Sequence, residues 1–168
     1  PETFWDRLAK AGLGLTGLRR GSRTTHFING YAEDGRRTQE VTALADPIRL
    51  SDVPRAFWRA RWVHVSPVLQ EVDPMIITAA KQHHVEVSVD VQGFVRQIKS
   101  EDRKRIEPCR WNGFSQVAPH IDVLKCDVEE IRQLTGLQDV AEAAASAHEV
   151  GSKLVLITDG IHGSYLSD

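Results

Sequence analysis

Several short stretches carry residue types whose spacing can do chemistry. In Asp127-Val128-Glu129-Glu130, two carboxylates, Asp127 and Glu130, stand three residues apart at the start of a helical pattern. That spacing puts them on one helical face, where they can hold the waters of a Mg²⁺ ion, a cation that prefers oxygen ligands and keeps much of its hydration shell. The same pair also serves structure alone, with Asp127 as N-cap and Glu130 as its capping-box partner. Thr158-Asp159-Gly160-Ile161-His162-Gly163 follows an apolar run. Its glycines let backbone amides approach a phosphate or ribose without a Cβ in the way, although many plain strand-to-strand turns share this composition. Asp90-Val91-Gln92-Gly93-Phe94-Val95-Arg96 closes another apolar run and ends in a guanidinium. Arg96 suits a substrate or phosphate contact because its planar fork donates two parallel hydrogen bonds; a surface ion pair is the alternative. Finally, Thr25, Phe27, Asn29 and Tyr31 alternate with His26, Ile28 and Gly30 and so share one face of a strand. Aromatic and amide groups there can stack on and hydrogen-bond a hydroxylated ligand, or they can simply pack across a hairpin.

Positioning these groups takes a particular order of elements. Phe4 to Ala11 has a helical apolar spacing, and Gly12, Gly14 and Gly17 end it. Thr24 to Tyr31 and Thr38 to Leu44 read as two strands of a hairpin over 24–44, turning at Glu33-Asp34-Gly35-Arg36. Ser51 or Asp52 can cap a short helix with Pro54 in its first turn. Strand Trp62–Val65, helix Val72–His83 and strand Val85–Asp90 follow, the last rich in β-branched residues. The densely charged stretch from Lys99 to Arg110 yields no pattern. Beyond it come a strand at Ile121–Leu124, a helix from Asp127 to Thr135 stopped by Gly136, and another opened by Asp139. A buried strand, Lys153–Thr158, and a return at Ser164–Leu166 complete the pass. Alternation of this kind builds a mainly parallel α/β sheet. In such sheets ligands bind beyond the carboxyl ends of the strands, which is where the candidate residues fall.

Composition narrows the function classes. The 168 residues, 41% hydrophobic and 26% charged, suit one ordinary core, with no repeat or linker to argue for two domains. A formal charge of −2 gives no electrostatic footprint for nucleic acid or an anionic membrane, so small soluble partners are expected. No apolar run approaches the roughly 18 residues that span a bilayer. Cys109 and Cys126 lie far apart without metal-ligand spacing, which suggests a reducing cytoplasm. The seven histidines form no metal-binding cluster; His83 and His84 read as a solvated helix-end pair, and Trp5, Trp58, Trp62 and Trp111 as core.

Taken together, these segments resemble the ribokinase-like (PfkB-type) carbohydrate kinases from about Phe4 onward. Asp122-Val123-Leu124-Lys125-Cys126-Asp127-Val128-Glu129-Glu130 with Leu134-Thr135-Gly136 looks like the family's strand, Asn-x-x-Glu motif and helix ending in Leu-Thr-Gly. Here Cys126 and Asp127 stand where the family has Pro and Asn. Val155 to Gly163 resembles its nucleotide-side Thr-x-Gly-x-x-Gly segment, and the 24–44 hairpin resembles its lid. The resemblance implies a three-layer α/β/α fold with a mainly parallel sheet and a β-hairpin lid, and phosphorylation of a sugar or polyol hydroxyl using ATP and Mg²⁺. It assigns Thr158, Gly160 and Gly163 to nucleotide or phosphate, and Asp127 and Glu130 to Mg²⁺. Phe27, Asn29, Tyr31 and Arg96 go to substrate, with a homodimer through the lid as a further implication. The family's Gly-Gly start and catalytic Gly-Ala-Gly-Asp segment are not among these residues, so a partial domain, inactive by itself and without a catalytic base, is expected. A nucleoside kinase of the same fold, or a non-catalytic nucleotide- or sugar-binding module, stands as the alternative.

Overall fold

The computed structural model describes residues 3–33, 37–99 and 104–168. The chain opens with α1 (Phe4–Lys10), held by a capping box in which the Asp6 amide donates to Thr3 Oγ1 and the Thr3 amide to Asp6 Oδ2. The expected hairpin follows as β1 (His26–Tyr31) and β2 (Arg37–Ala43), antiparallel, with Asn29 opposite Gln39. The turn read at Glu33 to Arg36 falls largely on 34–36, outside the described residues.

From β3 (Trp62–Val65) the chain alternates as the β-branched runs require: α2 (Met75–Gln82), β4 (Glu86–Asp90), β5 (Arg96–Ile98), β6 (Ile106–Pro108), α3 (Phe114–Val117), β7 (Val123–Asp127), α4 (Val128–Thr135), α5 (Val140–Glu149), β8 (Leu154–Thr158) and β9 (Ser164–Ser167). Five of these strands form a sheet in the order β3-β4-β7-β8-β9. The first four are parallel, and β9 returns antiparallel to β8.

Every step from β3 to β4, β7 and β8 moves one place in the same direction across the sheet. Right-handed crossovers then put all the connecting helices on one face. Burial agrees. Ile77 of α2, Ile131 of α4 and Ala144 of α5 join Val87, Val89, Leu124 and Ile157 in a single cluster. The alternate residues Ser88, Lys125 and Leu156 on the opposite face stay half-buried. The α/β class and the mainly parallel sheet are therefore as expected. Of the three layers, the described residues build the sheet and one helical layer.

Five local readings change. The unpatterned stretch 99–110 contributes β6, which pairs antiparallel with β5, Ile98 opposite Ile106. These strands are too short and too charged to show periodicity. The short helix near Ser51 is instead two 3₁₀ turns, Leu50–Asp52 and Arg55–Arg59, and Pro54 is the N-cap of the second rather than a first-turn residue. Helix α2 starts at Met75 because Val72 is drawn into a bridge with Ile48. His83 is no bare solvated end: its ring stacks on Trp58 at 5.4 Å and 9°. Trp58 and Trp111 pack on the core as read, whereas Trp62 is exposed on the edge strand β3.

Candidate functional site

The carboxyl ends of β4, β7 and β8 bring the candidate residues together. Asp127, the last residue of β7, lies beside Thr158, the last of β8, and Asp90 at the end of β4 lies beside Lys125. By strand alternation all four side chains leave the face opposite the core cluster.

Where β7 becomes α4, Asp127 takes an extended backbone and its Oδ1 accepts from the Glu130 amide at 2.7 Å, while Glu130 Oε2 accepts from the Asp127 amide at 2.9 Å. The capping box is thus real, and it leaves each carboxylate one oxygen free of it. Glu130 is only 6% exposed, and its other oxygen, Oε1, lies 3.5 Å from the Arg96 guanidinium. Burial raises the Glu130 pKa, and the nearby Asp127 charge adds to this against the opposing Asp127 amide and Arg96. Gly136, in the left-handed region at φ 81°, ends the helix as its position in the sequence suggested.

Arg96 is held from two sides. With the Gln92 amide turned so that its oxygen faces the guanidinium, that oxygen accepts from both terminal nitrogens at 2.8 and 2.9 Å. The Arg96 carbonyl accepts from Gln70 Nε2 at 2.9 Å. The loop carrying Gln92 fits because Gly93 lies against Pro67, where a Cβ would meet the Pro67 carbonyl carbon at 2.4 Å. Lys125 Nζ donates to Asp90 Oδ2 at 2.9 Å, and Asp90 Oδ1 also accepts from the Gln92 amide. Burial works against the Lys125 charge, but Asp90 and the Glu130 and Asp127 charges outweigh it and raise its pKa. Cys126, between Lys125 and Asp127, is buried on the core side, and burial pushes its thiol up to about 12, which makes it inert filling. Both cysteines are free.

A cleft of about 280 Å³ opens over the start of α4. Asp127, Glu129, Glu130 and Gln133 form its floor, Arg96, Arg105 and Glu107 of the β5–β6 hairpin one wall, and Thr38 and Gln39 of β2 another. Of the hairpin residues read from sequence, Asn29 reaches this cleft only through Gln39, whose Nε2 donates to its Oδ1 at 3.0 Å. Phe27 is half-buried against Val41, and Tyr31 is 72% exposed. Thr158 donates to the Cys126 carbonyl at 3.4 Å, and beyond it Gly160 and Gly163 hold positive φ angles of 50° and 99°. These glycines frame a short loop closed by the Asp159 amide donating to the Gly163 carbonyl. Among the described residues no three His, Cys, Asp or Glu side chains converge as a metal cage. Asp127 Oδ2, outside the capping box, and Glu130 Oε1, shared with Arg96, fit a hydrated Mg²⁺ whose remaining ligands are water and phosphate.

Arg105, Thr38 and Gln39 were missed in the sequence. Arg105 sits in the unpatterned stretch, and the two β2 residues are assigned to the cleft only by the hairpin register.

Residues 64–168 match the family defined as pfkB family carbohydrate kinase. The chain belongs to this family. Among relatives of the pfkB family, the cytidine kinase of Thermococcus kodakarensis is 25% identical over 166 residues, covering 98% of this chain and 56% of that protein. A solved pyrophosphate-dependent kinase of the ribokinase family, complexed with a pyrophosphate analog and myo-inositol, is 28% identical with a TM-score of 0.75. That similarity covers 88% of this chain and 50% of the kinase. A fructokinase from Vibrio cholerae O395, in fructose-, ADP- and calcium-bound form, shares the fold at 20% identity and a TM-score of 0.63, over 97% of this chain and 54% of its own. The pfkB-family chain described here thus spans about half the length of the relatives it matches.

Proposed function

We propose that the protein transfers a phosphoryl group from ATP to a hydroxyl of a sugar or related polyol. The observation that carries this is the cleft in which Asp127 and Glu130 each keep an oxygen outside their capping box, with Arg96 fixed beside them. Mg²⁺, when bound at Asp127 and Glu130 through its waters, supplies charge neutralisation for the donor phosphates. The chain's own groups do the rest. Arg96, oriented by Gln92, donates to phosphate oxygens. The glycine loop after Thr158 lets the nucleotide approach the backbone, and the β1–β2 hairpin covers the acceptor and excludes water, which otherwise takes the phosphoryl group. The base that takes the acceptor's proton belongs, by family resemblance, to a Gly-Ala-Gly-Asp segment not among these residues, so residues 1–168 by themselves are inactive in this proposal. Exposed Ile28 and Tyr31 on the hairpin support a homodimer through the lid, and a cytoplasmic location accompanies the use of ATP.

Two finer points have rival readings, each favoured by a specific similarity. The cytidine kinase relative supports a nucleoside acceptor, and the pyrophosphate-dependent relative supports inorganic pyrophosphate as donor. The deciding experiment offers the full-length protein a panel of ribose, fructose, ketodeoxygluconate, myo-inositol, cytidine and adenosine, with ATP or pyrophosphate and Mg²⁺. Turnover on a sugar or polyol is expected, with Asp127→Ala and Glu130→Gln each lowering kcat by about 10²-fold as electrostatic contacts to the transferring group are lost. Calorimetric ATP binding without turnover on any acceptor sinks the kinase reading in favour of a binding module.

A further inference from the structure

A second cavity, of about 420 Å³, is lined by Arg55, Trp58, Arg59 and His83, a size within the roughly 300–1,000 Å³ of small-molecule sites. Arg55 to Arg59 form the 3₁₀ turn that leads into β3, and His83 follows α2 just ahead of β4. The cavity therefore sits by the amino ends of these parallel strands, whereas Asp90, Asp127 and Thr158 stand at carboxyl ends. The five residues of β4 hold the two ends of the sheet about 17 Å apart.

The backbone accounts for this lining. A 3₁₀ helix repeats every three residues, so Arg55 and Trp58 lie one above the other and Arg59 stands one position round, beside the same space. Trp58 packs on the core and stacks on the His83 ring at 5.4 Å and 9°, which makes one wall rigid. His83 is itself pinned, its amide donating to the Ala80 carbonyl at 3.0 Å. Arg55 and Arg59 are exposed and form no ion pair among the described residues. None of the four lining residues is acidic, and Asp52, three residues ahead of Arg55, is taken by Arg19.

We propose that this cavity binds a phosphomonoester anion, at a site separate from the candidate catalytic cleft. Two guanidinium groups without a counter-charge, lining one small space, call for an anion. A phosphomonoester carries close to two negative charges at neutral pH and three acceptor oxygens, enough for two planar forks; a carboxylate has one charge and two oxygens, which a single fork satisfies. An N–H of the His83 imidazole adds a donor, and the Trp58–His83 stack offers an apolar wall to the organic part of the ester. The negative end of the α2 dipole opposes an anion here, but it amounts to about half a charge against two whole ones. None of these residues belongs to the cleft, so the site stands independently of the kinase reading.

The test follows the Trp58 indole N–H by NMR in the full-length protein, with its resonance assigned from Trp58→Phe, while ribose 5-phosphate, CMP or inorganic phosphate is titrated at constant ionic strength. This readout belongs to the cavity, so phosphate binding at the far end of the sheet does not mimic it. At least one of the two esters is expected to move the resonance to saturation, and Arg55→Gln/Arg59→Gln to weaken the apparent Kd about tenfold or more, the loss expected for charge-assisted hydrogen bonds. Arg55→Lys/Arg59→Lys keeps the charges without the forks and falls between, which also covers the case in which the first double variant does not fold. Similar Kd values for the two esters make the phosphate group the determinant, and tighter binding of CMP places its base against the Trp58–His83 wall; either supports the site. No movement with either ester, the same movement with acetate, or an apparent Kd unchanged in the double variants overturns it.

Discussion

Glu130 joins a structural role to the chemistry proposed for it. Its carboxylate caps α4, faces Arg96 and is nearly buried. Burial raises its pKa above the ordinary 4.5, and the Asp127 charge adds to the shift. The native state therefore binds a proton at Glu130 more tightly than the unfolded chain does. Its contribution to stability is complete below 4.5 and is lost as pH rises through the raised native value. Glu130→Gln removes that dependence while keeping an acceptor for the Asp127 amide. Urea unfolding across the acid range into neutrality checks this: the stability of the variant relative to the parent climbs as pH rises. A difference that stays constant with pH rules out the burial account. In the proposed function the same titration moves the acid limb of donor binding upward from that of an ordinary glutamate, because the ionised form is the one that would hold the waters of Mg²⁺.

At the scale of elements, Asp122 joins more of the fold than any residue in the cleft. Its Oδ2 accepts from Lys81 Nζ of α2 at 2.6 Å and from the Val87 amide of β4 at 2.8 Å, and its Oδ1 from Lys153 Nζ ahead of β8 at 2.8 Å. Burial opposes the Asp122 charge, but these three donors outweigh it and hold the carboxyl below its ordinary value. The contribution is present above pH 3.8 and is lost as pH falls through the lower native value. Asp122→Ala is expected to cost about 1.5–3 kcal/mol at neutral pH with an unchanged urea m-value, and the gap to the parent narrows toward pH 3. A cost under about 0.5 kcal/mol, the range of ordinary surface changes, refutes the clasp. None of these contacts was legible in the sequence, because each depends on which strand lies next to which. What was legible is local. Val85, Val87 and Val89 alternate as a half-buried strand must, Asp127 and Glu130 stand at capping-box spacing, and Gly136 stops α4. Residues 96–98 and 106–108 escaped notice because strands of three residues are too short to display a period, and Arg105 escaped with them.

The whole molecule has one covered sheet face and one that is not. Helices α2, α4 and α5 bury Val87, Leu124 and Ile157, while Ser88, Lys125 and Leu156 on the other side remain half-exposed. His64 and Ser88, hydrogen-bonded at 2.8 Å, add a polar patch to that open face, which holds the candidate catalytic end of the sheet as well. Both edges are also unpaired among the described residues. β3 ends the sheet on one side with Trp62 exposed, and β9 on the other with Tyr165 and Leu166 exposed, next to Ile161 at 96%. Unpaired strand edges and exposed apolar side chains are templates for association. Prepared alone, residues 1–168 are therefore expected to self-associate at roughly 100 μM, within the range where exposed edges associate. Multi-angle light scattering after size exclusion measures this. Leu166→Lys, which puts a charge on the outer strand without touching the core, is expected to shift the distribution toward monomer, whereas the same change on the full-length protein alters its mass distribution little if β9 is paired there. A monomeric 168-residue sample would mean that the open face and edges are less adhesive than their composition implies, and that the polar groups on that face, His64, Ser88, Asp90 and Lys125, are enough to keep it in water.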